Sequence, residues 1–228
     1  VEGYGLTETA PVLTLNPQEG VRIGTVGKAI PGVELKVAPD GELLARGPNI
    51  MLGYYGKPGA TADVIRDGWF HTGDIGKIDD DGYVTITDRK KDILVTSNGK
   101  NVAPQPIEAR CKRSTLVAEA VLLGDRRRFI AVLLLPDRTQ LEERVRRGGA
   151  DLAPVEELVE RADVRSLYQE VVDEVNVALA GFEQIKRFKV LPAEFSIAGG
   201  ELTPTMKVRR RVVEERWKNA IEMLYAEP

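Results

Sequence analysis

The sequence is poor in the residues that cross-link a small fold. Its 228 residues include one cysteine, Cys111, and one histidine, His71. A single cysteine cannot form an internal disulfide, which disfavours a secreted, disulfide-stapled fold and is typical of a reducing compartment. We therefore expect a cytoplasmic protein. A lone histidine is more often structural than catalytic, so we assign His71 no role.

Long apolar runs, a secretory leader and a Walker phosphate loop are missing as well. The longest apolar stretch, residues 129–136, is far shorter than the roughly 18 residues that cross a membrane, and it is typical of a buried strand. No charged-then-apolar leader opens the chain, so we expect no signal peptide. The motif Gly-x-x-x-x-Gly-Lys-Ser/Thr does not occur. The chain begins with Val1 rather than Met, and its first residues resemble the middle of a folded protein.

An excess of positive charge is also missing. Lysine and arginine number 32 against 35 aspartates and glutamates, which gives a net charge of −3. The chain as a whole is therefore not expected to bind nucleic acid. The chain has the composition of an ordinary globular protein, with 43% hydrophobic and 29% charged residues. Its length is sufficient for one large domain or two small ones.

Residues 1–87 are rich in glycine and proline, with short apolar alternations between them. Residues 33–37 alternate with period two, and Pro-Asp-Gly then turns the chain into residues 42–45, which predicts a β-hairpin. A second turn precedes a strand at 83–87. We expect this half to be mostly β, with one short helix at 60–66.

Five consecutive charged residues, Asp-Arg-Lys-Lys-Asp at 88–92, separate two apolar strands. A solvated linker between two packed bodies has this composition. From charge alone, an exposed hairpin turn is an equally good interpretation.

The rest of the chain mixes helix and strand patterns. Residues 118–123 and 129–135 predict paired strands. Thr139 has the form of a capping box that opens a helix, and Asp163 can cap a longer one. A last amphipathic helix is predicted over 208–225. The fold class is therefore α/β of the α+β kind.

Two segments could contact a nucleotide. Tyr-Gly-Leu-Thr-Glu-Thr at residues 4–9 clusters an aromatic face, hydroxyls and a carboxylate, which could stack a base, bind a phosphate and hold Mg²⁺. Trp-Phe-His-Thr-Gly-Asp at 69–74 presents Asp74, whose carboxylate can accept hydrogen bonds from both hydroxyls of a ribose. For each segment alone, a surface turn is the alternative.

A glycine-rich loop at 199–207 presents Lys207 just before a helix. A lysine on a loop is a compact cation with three donors and can contact two anions at once. An isolated lysine, however, is usually no more than a solvated surface residue.

Together and in this order, the segments at 4–8, 68–74, 88–92 and Lys207 resemble the adenylate-forming, AMP-binding acyl-CoA synthetase family. Residues 88–102 and 202–207 are similar to its bacterial long-chain fatty acid–CoA ligase branch. The resemblance implies a partial β-rich subdomain of the adenylating core at 1–87 and a hinge at 88–93. A small mixed α/β C-terminal lid domain would follow at 94–228, with a helical insert at about 139–185 that looks like a long-chain feature.

The resemblance also implies the substrates and the reaction, an ATP-dependent ligation of a fatty acid to coenzyme A. A carboxylate attacks the α-phosphate of MgATP, giving an acyl-adenylate and pyrophosphate, and the thiol of coenzyme A then displaces AMP. In the core, Tyr4 and Gly5 would belong to the nucleotide site, with Tyr4 against adenine. Thr7 would bind the α-phosphate, Glu8 would ligate Mg²⁺ and Asp74 would hold the ribose hydroxyls.

Four further residues match the hinge and lid of the family. Arg89 would contact the ribose from the hinge, and Lys91 matches the position where the backbone turns. Lys207 would bridge the acyl carboxylate and the α-phosphate during adenylation. Gly99 falls in the loop that would line the pantetheine tunnel in the thioester-forming state.

The phosphate loop of the family and most of its acyl tunnel precede the first motif, so we expect the partner of this chain to be the missing N-terminal core and the isolated chain to be inactive. Peripheral contact with a membrane is left open.

One alternative function is a non-catalytic, lid-like binding or regulatory module, and another is an adenylation domain for a different carboxylate, such as an amino acid. Nucleic-acid binding through the arginine runs at 126–128 and 209–211 is disfavoured, because neither run is interleaved with aromatic residues. Contact of residues 209–211 with the phosphates of coenzyme A is a further hypothesis.

Overall fold

Short strands joined by glycine and proline turns dominate the first half of the chain. A computed structural model, which describes residues 2–226, divides the chain into two units, Val1–Ile93 and Leu94–Pro228. The first unit holds strands, one short α-helix and 3₁₀ turns at Thr7–Thr9 and Lys90–Asp92. Its elements in chain order are β1 (Gly3–Tyr4), β2 (Thr14–Leu15), β3 (Lys28–Ala29), β4 (Glu34–Val37), β5 (Glu42–Arg46), α1 (Pro58–Val64), β6 (Ile65–Arg66), β7 (Trp69–Ile78) and β8 (Val84–Arg89).

Two antiparallel sheets organise this unit. The first has the order β1-β2-β3, and the second has the order β4-β5-β7-β6, with β8 also paired to β7. The core cluster consists of Leu13, Ala45 and Phe70, with partly buried apolar residues around it. Because β7 pairs with three neighbours, it is the strand that brings distant segments of the unit together.

The second unit mixes helices with a central sheet. Its strands are β9 (Leu94–Val95), β10 (Asn101–Val102), β11 (Val117–Leu123), β12 (Ile130–Pro136) and β13 (Ile185–Val190). Its helices are α2 (Pro104–Cys111), α3 (Arg138–Arg147), α4 (Val155–Leu158), α5 (Ala162–Val177), α6 (Arg210–Arg216) and α7 (Lys218–Tyr225). Strand β12 runs antiparallel to β11 and parallel to β13, while β9 and β10 form a separate hairpin.

Strand β12 is buried on both faces, which explains its continuous apolar sequence. Alternate residues point to opposite sides of a strand. Ile130, Val132 and Leu134 join a cluster with α2, α3, α4 and α5. Ala131, Leu133 and Leu135 join a second cluster with α6 and α7.

The predicted mixture of helix and sheet is confirmed, and so are the hairpin of β4 with β5 and the pairing of β11 with β12. Three details of the sequence interpretation are wrong. The N-cap of α3 is Asp137 rather than Thr139, because the Asp137 carboxylate accepts a hydrogen bond from the Gln140 amide at 3.0 Å. Asp163 lies inside the first turn of α5. The predicted helix 208–225 is two helices separated at Trp217.

Among residues 2–226, no helix combines the length and the apolar character that crossing a membrane requires.

Candidate active site

The loop that carries Thr7 and Glu8 is fixed by polar contacts beneath it. Thr9 is fully buried, and its hydroxyl accepts a hydrogen bond from the Leu6 amide at 2.9 Å. The side-chain amide of Asn49 donates a hydrogen bond to the backbone carbonyl of Thr9 at 2.9 Å. With Thr9 turned inward, Thr7 lies exposed and Glu8 half-buried on the outer side of the turn.

Gly5 allows this loop to fold back on itself. A Cβ atom at this position would lie 1.7 Å from the carbonyl oxygen of Pro11, a distance that no real side chain can adopt. The close approach of residues 5 and 11 therefore requires glycine. This is a structural reason for the glycine that stands next to Tyr4 in the motif.

Tyr4, Asp74 and Arg89 come together although they are far apart in sequence. The Tyr4 hydroxyl donates to Oδ2 of Asp74 at 2.6 Å, and Nε of Arg89 lies 3.0 Å from Oδ1. The Asp74 side chain is 5% exposed and that of Arg89 is 53% exposed. Burial, and then the hydrogen bond to Asp74, raise the pKa of Tyr4 well above its usual range, so its hydroxyl stays protonated as a donor.

Strand pairing explains this arrangement. Asp74 on β7 is the register partner of Arg89 on β8. The Asp74 amide donates to the Thr72 hydroxyl at 3.1 Å, and that hydroxyl donates to the Leu43 carbonyl at 2.7 Å. A carboxylate has about four acceptor positions, of which Tyr4 and Arg89 use two, so Asp74 retains capacity for a ligand.

Glu8 has one oxygen engaged by the protein. The Tyr54 hydroxyl donates to Oε1 of Glu8 at 2.9 Å, a contact that raises the pKa of Tyr54. Within residues 2–226, no group of three or more His, Cys, Asp or Glu side chains could cage a metal. Mg²⁺, however, is commonly bound through one or two carboxylates together with substrate phosphates. A single carboxylate with one unengaged oxygen fits that kind of site.

Glu42 was not singled out from the sequence, yet it is a buried carboxylate beside this site. It is 3% exposed and lies next to His71 and Lys90. Burial pushes the pKa of Glu42 upward, but hydrogen bonds from His71 and Lys90 outweigh it and hold that pKa below the usual range. Glu42, Glu8 and Arg89 all line one cavity of about 290 Å³ in the first unit. The sequence had placed Glu42 only at the start of the second strand of a predicted β-hairpin.

Lys91 lies in the 3₁₀ turn that follows β8, and its side chain is exposed. It thus closely follows the strand that ends at Arg89, a residue that the sequence had placed in the hinge rather than in a strand. Its role in a hinge stays a prediction.

Gly99 and Lys207 lie in the second unit. Gly99 has a φ of +72° at the tip of the β9–β10 hairpin, where its amide donates to the Thr96 carbonyl at 2.8 Å. A side chain would be strained in this conformation, and with glycine the backbone at the tip stays bare.

The Lys207 backbone is anchored, while its ammonium group extends from an exposed loop. Its amide donates to the Thr203 hydroxyl at 3.0 Å, and its carbonyl accepts from the Thr203 amide at 2.8 Å. Next to it, Met206 has a φ of +61°. Within the described part of the chain, the Lys207 ammonium has no hydrogen-bond or ion-pair partner, so it is available to an anion.

The two arginine runs are partly used inside the protein. Arg127 forms an ion pair with Glu222. Arg210 pairs with Glu108 at 2.6 Å and also donates to the Leu122 carbonyl. Arg210 is therefore not free to contact the phosphates of coenzyme A.

Family models match segments of both units. Residues 91–228, more than half of the chain, match the AMP-binding enzyme C-terminal domain, and residues 1–55 match the AMP-binding enzyme model. The chain belongs to the AMP-binding enzyme family. The family predicted from the four motifs is thereby confirmed.

Curated relatives of this chain include fatty acid–CoA ligases. The chain is 42% identical to the long-chain-fatty-acid–CoA ligase FadD15 of Mycobacterium tuberculosis over 98% of its own length. It is 35% identical to human long-chain-fatty-acid–CoA ligase ACSBG1 over 99% of its length. The chain spans 38% of the mycobacterial and 34% of the human relative.

Solved structures of similar fold were determined with nucleotides bound. ATP-bound MatB from Rhodopseudomonas palustris matches with a TM-score of 0.66 at 28% identity, covering 96% of this chain and 41% of that one. The A domain of a carboxylic acid reductase from Segniliparus rugosus, in complex with AMP and a co-purified carboxylic acid, matches with a TM-score of 0.71 at 25% identity, covering 98% and 34%.

Proposed function

We propose that this chain supplies the C-terminal lid domain and the last part of the adenylating core of an ATP-dependent long-chain fatty acid–CoA ligase. The observation that carries the proposal is the contact of Tyr4 and Arg89 with the buried carboxylate of Asp74. Relatives named as long-chain-fatty-acid–CoA ligases support the substrate class. We also propose a cytoplasmic location, in keeping with the unpaired, buried Cys111.

In the first half-reaction, the residues of the core would bind ATP and orient it. The Tyr4 ring would lie against adenine, with Gly5 beside it, and Asp74 and Arg89 would hold the ribose. Thr7 would donate to the α-phosphate, while Glu8 would ligate Mg²⁺ through the oxygen that Tyr54 leaves unengaged. Mg²⁺ would neutralise charge on the phosphates.

Lys207 would act in the same step from the lid. Adenylation brings the fatty acid carboxylate and the α-phosphate together, and a cation between two anions lowers that barrier. The hinge predicted at 88–93, with Lys91 at its turn, would let the lid present Lys207 first. It would then present the bare backbone at Gly99 to the pantetheine arm of coenzyme A.

The experiment is an acyl-CoA synthesis assay with palmitate, MgATP and coenzyme A. The 228-residue chain should give no product, whereas the same chain joined to the preceding core of its gene should be active. In that longer protein, Lys207→Ala should lower the adenylation rate about 10²- to 10³-fold, the usual effect of removing a preorganised charge.

The matched control is Lys186→Ala, which removes an exposed lysine from β13 of the same unit. Its rate should equal that of the unchanged protein. Steady product from the 228-residue chain would contradict its proposed dependence on further core segments. An unchanged adenylation rate in Lys207→Ala would contradict the role of that lysine.

A further inference from the structure

Glu42, at the start of β5, makes three separate contacts with its buried carboxylate. Oε2 accepts a hydrogen bond from the Lys90 ammonium at 2.9 Å and lies 2.9 Å from Nδ1 of His71. Oε1 accepts from the Gly73 amide at 2.9 Å. Lys90 is held a second time by Asp40 at 2.7 Å. Both oxygens of this carboxylate, which is 3% exposed, thus have hydrogen-bond partners within the protein.

Two of these contacts are to residues that lie next in sequence to Asp74 and Arg89, which we propose bind the nucleotide. Gly73 precedes Asp74 in the chain, and Lys90 follows Arg89. Asp74 and Arg89 are themselves paired across β7 and β8. One carboxylate on a third strand therefore holds the backbone amide that precedes Asp74 and the side chain that follows Arg89.

The hydrogen-bonded ladder between β5 and β7 is interrupted in this region. The register of β5 against β7 shifts between Glu42 and Leu44, and Gly73 has a φ of +72°, outside the range of a regular strand. At such a bulge a backbone group leaves the hydrogen-bonded ladder and needs another partner. The Gly73 amide finds it in the Glu42 side chain, so the bulge depends on that carboxylate.

We propose that Glu42 is a positioning residue that holds Asp74 and Arg89 in their paired geometry and ends the rigid part of the first unit at Lys90. Bending of the hinge then begins at Lys91. The inference rests on the proposed nucleotide role of Asp74 and Arg89. It adds that their arrangement is set by a residue whose hydrogen bonds go to their neighbours in the chain, Gly73 and Lys90. The hydrogen bonds that keep the pKa of Glu42 low leave it charged at neutral pH, as an ion pair with Lys90 requires.

Hydrogen–deuterium exchange on the 228-residue chain tests the positioning directly. In Glu42→Gln and Lys90→Met, the amides of residues 89–92 should exchange about tenfold faster or more, since a charge-assisted hydrogen bond is lost. In Glu42→Gln, where an amide replaces the carboxylate, residues 72–74 should also exchange faster. Unchanged exchange at both segments would overturn the proposal.

The matched control is Glu34→Gln on the neighbouring strand β4. Glu34 is exposed and forms an ion pair with exposed Arg46 in the same sheet. Loss of this ion pair should leave the amides of residues 72–74 and 89–92 as protected against hydrogen exchange as in the unchanged chain. Equal acceleration in the control would mean that any lost charge loosens the sheet, and the positioning role would fall.

Kinetics of the longer ligase separate positioning from simple stability. In Lys90→Met, the KM for MgATP should rise about tenfold, the cost of one misplaced charge-assisted contact, while the KM for coenzyme A stays constant. Lys90→Arg keeps the cation and should restore the KM. Proportional loss with every substrate, without rescue by arginine, would indicate a structural role only and contradict the inference.

The proposed ligase function and the proposed positioning role of Glu42 can be contradicted independently of each other. If the longer protein makes no acyl-CoA, the proposed function fails, while the exchange of residues 89–92 still decides whether Glu42 holds the end of the first unit. If acyl-CoA forms and the Glu42 and Lys90 variants behave as the unchanged protein does, only the positioning role is lost.

Discussion

Cys111 shows how its surroundings set the reactivity of a side chain. It lies at the end of α2 in the core of the second unit and is fully buried. Burial, and then the nearby charge of Glu108, raise the pKa of its thiol to about 11. Because the thiolate is the reactive form, a thiol with this pKa is almost entirely unreactive at neutral pH.

We predict that iodoacetamide at pH 8 modifies native Cys111 roughly a hundredfold more slowly than an exposed cysteine, whose pKa is about 8.5. Unfolding in urea should restore the ordinary rate, which serves as the control within one sample. Mass spectrometry of the intact chain measures the extent of labelling. Rapid modification of the folded protein would contradict the buried position of the thiol.

Residue roles differ in how well the sequence predicts them. Tyr4, Glu8 and Asp74 lie in contiguous motifs, so a short window is enough to single them out. Glu42 and Tyr54 gain meaning only from contacts 31 and 46 residues away, with Gly73 and Glu8 respectively. No local pattern carries that information, because it depends on which strands pair and with which register.

At the scale of the element, strand burial was predictable and helix termini were not. A strand that is apolar at every position, as β12 is, must be buried on both faces. A helix terminus depends on which of several capping residues turns its side chain to the backbone. Thr139 and Asp137 both suit the start of α3, and Asp137 accepts the hydrogen bond.

We predict that Asp137→Ala destabilises the second unit by about 1 kcal/mol, the usual cost of losing a side-chain N-cap. Thr139→Ala is the matched control, since Thr139 lies within the first turn of the same helix and should cost no more than a few tenths of a kcal/mol. Urea denaturation followed by circular dichroism measures both. A larger loss of stability in Thr139→Ala than in Asp137→Ala would indicate that Thr139, and not Asp137, is the N-cap of α3.

At the scale of the whole molecule, the two units differ in the size of their cores. The second unit contains two large clusters on the two faces of β12. The principal cluster of the first unit has Leu13, Ala45 and Phe70 at its centre. Tyr55 and Leu52 of the first unit are fully exposed, and such apolar side chains contribute nothing to its stability.

We therefore predict that residues 94–228, expressed alone, fold and unfold cooperatively, because both clusters of that unit lie entirely within this segment. In the 228-residue chain, amides of β11 and β12 should show the strongest protection against hydrogen exchange, while amides of β1 to β3 exchange sooner. The control is Leu133→Ala in residues 94–228, which should cost about 2 to 5 kcal/mol by opening a cavity. A gradual transition of residues 94–228, or equal protection in both units, would mean that the sizes of the separate cores do not set the stability of each unit.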